Sequence, residues 1–171
     1  MSLTYAVGDT VIHPHHGAAT IDDVEQRELN GDQVEYVVLT SPFNDLTLKV
    51  PVSRVEDVGI RACMSTERLT EVVAVLEDEP TPQKGHWSRR LKRNQSRMRS
   101  GEPAKLAMVV RDLTAKLNTK GLSPAERRIH RTSRRMLHGE IAAVVDGGAE
   151  AADALLDEAL LRHMADDDTE D

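Results

Sequence analysis

Two hydrophobic periods divide the chain. Over the first sixty residues apolar side chains recur every second position, in short runs broken by turn formers, the pattern of strands with a buried face. "DTVIHP" begins an extended run, and "AATIDDVEQREL" follows after the turn-like "HHG". Asn30-Gly31 supplies the positive backbone angles of a tight hairpin. Beyond it Val34, Tyr36 and Val38 alternate with Glu35, Val37 and Leu39, so that strand is expected to bury much of both faces. "SPFND" makes another turn, "LTLKVPV" sets Leu46, Leu48 and Val50 opposite Lys49, and "VEDVGIR" reads as a last short strand. Five short strands with tight connections predict a small antiparallel β-barrel.

After Cys63 the period lengthens to that of a helix. Leu69, Val72, Val73 and Leu76 form one stripe behind Ser65, a good N-cap. "EDEPTPQKG" is a polar linker whose prolines stop that helix. A short basic helix is expected from Trp87 to about Ser100-Gly101. Pro103 starts the next, with Leu106, Val109, Val110, Leu113 and Leu117 along its buried side. "SPAE" (Ser123 to Glu126) is a capping box with proline at the first helical position, followed by a stripe of Ile129, Met136, Leu137, Ile141 and Val144. "DGG" breaks the chain before a final helix in "EAADALLDEALLRHM". The expected fold is therefore α+β with two domains: a β-barrel over 1–62, an all-α helical bundle over 63–165, and a disordered acidic tail over 166–171.

Composition narrows the class. At 171 residues the chain suits one ordinary domain or two small ones, and with aromatics at 2% the core must be built from Val, Leu, Ile, Ala and Met. The lone Cys63 excludes an internal disulfide framework and fits a reducing cytoplasm. No secretion signal opens the sequence, and no apolar run approaches the ~20 residues that span a bilayer. A cytoplasmic protein without membrane attachment is expected.

The net charge of −7 conceals strong zoning. Residues 84–135 carry sixteen lysines and arginines against three acids, whereas 1–62 hold four bases against ten acids. A compact basic block between acidic flanks is the electrostatic footprint of a polyanion partner, most often nucleic acid. Catalytic chemistry finds no support. His13, His15 and His16 lack a metal-ligand spacing and read as turn residues that hydrogen-bond locally. Cys63 has no partner acid or base, and neither a phosphate loop nor a catalytic triad is present, so neither an enzyme, a metal nor a cofactor is expected.

Trp87, the only tryptophan, admits two readings. Helical spacing aligns it with Leu91 and Met98, which favours packing in the bundle. Its place beside Lys84, Arg89, Arg90, Lys92 and Arg93 favours outward projection, where the ring wedges against a base step while the cations hold the backbone. Arg127, Arg128, Arg131, Arg134 and Arg135 extend the same positive surface, unless some of them pair with the acidic last helix. Two neighbouring helix N-termini would add backbone N–H donors for phosphate.

"VGDTVIHPHHGAATI", "VEYVVLTSPFNDLTLKVPV", "VGIR", "HWSRRLKRN" and "GLSPAERR" together resemble, in order, the CarD family (CarD/CdnL) of bacterial transcription regulators, actinobacterial type. The resemblance implies a Tudor-like N-terminal barrel that binds the β subunit of RNA polymerase. It also implies a C-terminal helical domain that contacts promoter DNA at the upstream edge of the transcription bubble, with a tryptophan in the minor groove that stabilises the open complex. Trp87 matches that tryptophan. Arg90, Lys92 and Arg127 match DNA-contacting basic positions, with Arg89, Arg93 and Arg128 beside them. Arg27 and Lys49 fall on polymerase-contacting ones. The chain departs from the family pattern in having Lys49 for arginine, His13 for tyrosine and Leu91 for an aromatic. Weak sequence specificity, a monomer and nucleoid association are expected. The alternatives are an architectural DNA-binding protein that acts without polymerase, and an adaptor whose basic block meets an acidic protein.

Overall fold

Among the described residues, alternation builds five antiparallel strands: β1 (Thr10–His13), β2 (Gly17–Leu29), β3 (Asp32–Ser41), β4 (Leu46–Pro51) and β5 (Arg61–Ala62). They lie in the order β4-β3-β2-β1-β5. The computed structural model describes residues 3–42 and 45–166. Asn30 and Gly31 both take positive φ, 54° and 90°, and so close the β2–β3 hairpin as their types require. Val11, Ala19, Ile21, Val37, Leu39 and Val50 make the core of this unit, and Val38 is buried on the opposite face of β3. The double burial expected of that strand is present.

Two features differ from the alternation's forecast. The sheet is open, with β4 and β5 at its two edges, where a closed barrel was expected. The reason lies in "VEDVGIR", which is not a continuous strand. Val55–Val58 forms a single helical turn, α1, that buries Val55 and ends on Gly59 at φ 89°, a left-handed value suited to glycine. Only Arg61–Ala62 remain to pair with β1, too few to bridge to β4. Val55 and Val58, three apart, share a face in a helix and not in a strand, and Gly59 then ends the turn.

The second unit begins at Met64 and, among the described residues, holds five helices: α2 (Thr66–Glu77), α3 (Trp87–Arg99), α4 (Pro103–Thr119), α5 (Pro124–Ala142) and α6 (Gly148–Asp166). Ser65 caps α2 by accepting from the Arg68 N–H at 3.2 Å. At α5 the capping box is complete: Ser123 Oγ accepts from the Glu126 N–H at 3.3 Å, and Glu126 Oε2 accepts from the Ser123 N–H at 2.9 Å. One apolar cluster joins Leu76, Leu106, Val110, Leu137, Ile141 and Leu156; a second joins Val109, Leu113, Leu122 and Ile129. The α2 stripe centres on Leu69, Val72, Val75 and Leu76, so Val73 falls off its edge. Leu117 is 42% exposed, against expectation, because α4 runs one turn past Leu113, its last fully buried side chain. Among the described residues no helix is long and apolar enough to cross a membrane. The tail expected to be disordered falls, from residue 167 on, outside the described residues.

Candidate nucleic-acid interface

Trp87 is the first residue of α3 and is 57% exposed. Its position explains why helical spacing misleads. Leu91 and Met98 do pack against the Val109–Leu113–Leu122–Ile129 cluster, but Trp87 precedes them by a full turn, before α3 reaches its neighbours α4 and α5. The ring therefore stands at the tip of the helix. His86 caps that tip, its Nδ1 accepting from the Ser88 N–H, and its ring lies 6.1 Å from the indole, tilted by 41°. Around the ring the cations divide by employment. Arg90 donates to the carbonyl of Gly85 and Arg93 to that of Lys84 at 3.4 Å, so both fasten the approach to the helix. Arg89 and Lys92 are exposed and form no ion pair among the described residues. Those two are available for phosphate.

What holds the tip in place escaped the sequence reading. Arg111 and Asp112, in the middle of α4, are both 3% exposed. The Asp112 carboxylate accepts from Arg111 Nε at 2.9 Å, from the Thr81 N–H at 3.0 Å and from Gln83 Nε2 at 3.3 Å. Arg111 donates to the Val75 carbonyl and to Thr81 Oγ1. Asn94, buried on α3, donates to Gln83 Oε1 at 3.3 Å. The linker 78–83 is thus sewn to α3 and α4 by buried charge-assisted bonds, stronger than neutral ones, and it delivers Gly85, at φ 98°, into α3. No signal marked it: Arg111 and Asp112 lie off the apolar stripe of α4, on the side where charged residues are ordinary.

The arginines of α5 answer both readings in part. Arg127 and Arg128 are exposed on the first turn, and Arg127 Nε donates to the Leu122 carbonyl at 3.2 Å. Arg134 is paired to Asp157 of α6 at 2.7 Å, as the acidic-helix alternative held. The helix start is firm because Glu126, which burial would push up, is held below the usual carboxylate range by Lys116 at 2.6 Å and by Ser123.

In the first unit Arg27 and Lys49 meet. Ile21 pairs with Leu39 and Asp23 with Val38, so Asp22 is an extra residue, a β-bulge. It shifts the phase of β2 so that Val24 stands opposite core-facing Val37, while Glu25 and Arg27 alternate onto the other face. There Glu25 Oε2 accepts from Lys49 Nζ at 2.8 Å and pairs with Arg27 at 3.0 Å. Lys49, and secondarily Arg27, hold the Glu25 carboxyl below its ordinary range. The mediating carboxylate was not foreseen. Elsewhere His13 Nδ1 accepts from the His15 N–H at 3.1 Å, the local turn bond expected of that histidine. Cys63 Sγ lies 3.4 Å from the Thr10 carbonyl.

Comparison with known proteins covers both units. Residues 5–64 match the family model "CarD-like/TRCF RID domain", and residues 71–157 match "CarD, C-terminal domain". A curated relative, "Putative transcription factor YdeB" of Bacillus subtilis (strain 168), is 24% identical over 140 residues, 82% of this chain and 92% of the relative.

Proposed function

The chain belongs to the CarD family of transcription-associated regulators, and from that premise we propose that it stabilises the open promoter complex as a tether with a wedge. The family is not one of enzymes, and its RID module is an RNA polymerase interaction module. In this reading residues 1–62 bind the polymerase β subunit through the face carrying Arg27 and Lys49, and the free edge of β4 adds to a β element of that subunit. The helical unit, 63–165, contacts promoter DNA at the upstream edge of the bubble. Arg89, Lys92, Arg127 and Arg128 hold phosphates, while Arg90 and Arg93 brace the tip. Tethering raises the local concentration of the basic surface, so intrinsic DNA affinity can be weak and nearly independent of sequence in a monomeric cytoplasmic protein of acidic net charge.

One observation carries the reading: the large exposed indole at the head of a basic helix, on a tip that buried Asp112 and Arg111 keep in place. An apolar ring so presented gains little in water and much between separated base steps. Only a preference for melted over closed DNA shifts the equilibrium, and ~1.4 kcal/mol of preference is a tenfold change in their ratio. The test is the lifetime of open complexes formed with RNA polymerase. Trp87→Ala is expected to keep polymerase binding and to shorten that lifetime severalfold, with Trp87→Phe intermediate. An unaltered lifetime with Trp87→Ala rejects the wedge.

A further inference from the structure

A groove of about 680 Å³ lies on the helical unit, lined by residues from the end of α4, the outer face of α5 and the start of α6. Its size falls within the range of roughly 300–1,000 Å³ typical of small-molecule sites. Four guanidinium groups line it, against one carboxylate, Asp153. That carboxylate is 3.4 Å from His138, and Asp157 is taken by Arg134, so neither acid pairs with Arg127 or Arg131. Arg127 is steered by its single bond to the Leu122 carbonyl, which leaves its terminal N–H groups without a partner among the described residues. Arg131, one turn on, is exposed and forms no hydrogen bond or ion pair among them. Side chains four apart on a helix stand about 6 Å from each other at their bases, so the two forks can grip neighbouring phosphate groups bidentately.

Part of the lining is apolar. Leu117 and Leu122 contribute it, and Leu117 is left 42% exposed although it continues the buried stripe of α4. A phosphodiester backbone has no use for such a lining; a ligand with a flat or apolar body beside its phosphates does. We infer that this groove binds an organic oligophosphate of nucleotide size, with its phosphates on Arg127 and Arg131 and its body against Leu117. Resting on the proposed function, Arg127 is also a DNA contact, so ligand and promoter DNA compete.

The experiment is calorimetric titration of the full chain, at physiological salt and without polymerase, with three probes: ATP, inorganic tripolyphosphate and a short DNA duplex. ATP is expected to bind more tightly than tripolyphosphate. Arg131→Ala should weaken ATP roughly tenfold, the loss of one charge-assisted fork. Leu117→Ser should weaken ATP severalfold and leave tripolyphosphate unchanged. Both side chains are exposed, and a thermal melt of each variant checks the fold. Absence of binding by ATP, or ATP binding indifferent to Arg131→Ala, overturns the inference. So does tripolyphosphate equal to ATP with Leu117→Ser silent, which assigns the groove to nucleic-acid backbone. Failure of ATP to lower duplex affinity overturns the competition alone. None of these readouts involves Trp87 or an open complex, so the wedge and the groove fail independently.

Discussion

At the scale of single residues, position within an element outweighs residue type. Trp87 and Leu91 share a helical face, yet only Leu91 packs, because the first turn of α3 precedes its contact with the bundle. Trp87→Ala should therefore change the stability to urea by less than about 0.5 kcal/mol, as exposed substitutions do, whatever it does to transcription. Placement also governs His13, 7% exposed on β1. Burial first, then the neighbouring His16 and His15, push its pKa down to about 4. A histidine kept neutral when folded takes up its proton in the unfolded chain first, so the stability it contributes is complete above the ordinary value of 6.5 and is lost as the pH falls toward about 4. The loss is at most roughly 3 kcal/mol. Protonation also turns Nδ1 into a donor facing the donor N–H of His15. Melting curves between pH 7 and pH 4 should show this slope in the wild type and a flatter one in His13→Tyr.

At the scale of elements, the sequence was informative wherever period and punctuation agreed. The Asn30-Gly31 hairpin, the Ser65 cap and the Ser123 capping box were all legible, since each rests on bonds between residues no more than three apart. What was not legible depends on partners distant in the chain. The end of β-structure at "VEDV" was missed because a single helical turn is too short for its spacing of three to stand out as a period. The exposure of Leu117 follows from where α4 outruns its neighbours, which periodicity along one helix cannot register. The Arg111–Asp112 knot joins residues about thirty positions from those it holds, and the Arg27–Glu25–Lys49 cluster needs the register of three strands. The knot is the costliest of these to lose. Asp112→Ala leaves the Arg111 guanidinium buried beside an empty position and should destabilise the helical unit by about 3–5 kcal/mol. Hydrogen exchange at the Thr81 amide should accelerate accordingly, because Asp112 is its acceptor.

At the scale of the molecule, the β unit is acidic, whereas the helical unit carries both the basic block and the acidic α6. The β unit's few cations are not idle, since Glu25 occupies both Arg27 and Lys49. An acidic partner must displace that carboxylate or share it. Glu25→Gln frees two cations and should strengthen polymerase pull-down at low salt, more than at high salt, where exposed charges are screened; indifference at both would separate this face from the polymerase. The open sheet carries a further liability. β4 ends the sheet with main-chain groups that no strand covers among the described residues, the geometry on which copies of one protein stack into fibrils. Lys49 and Pro51 sit on that edge, one repelling its own copy, the other withholding an amide. Replacing both with valine should leave the monomer's far-ultraviolet spectrum alone while a clear solution turns slowly to thioflavin-positive aggregate. A lysine that looks chosen for a partner, and the proline two residues on, would then also be guardians of solitude.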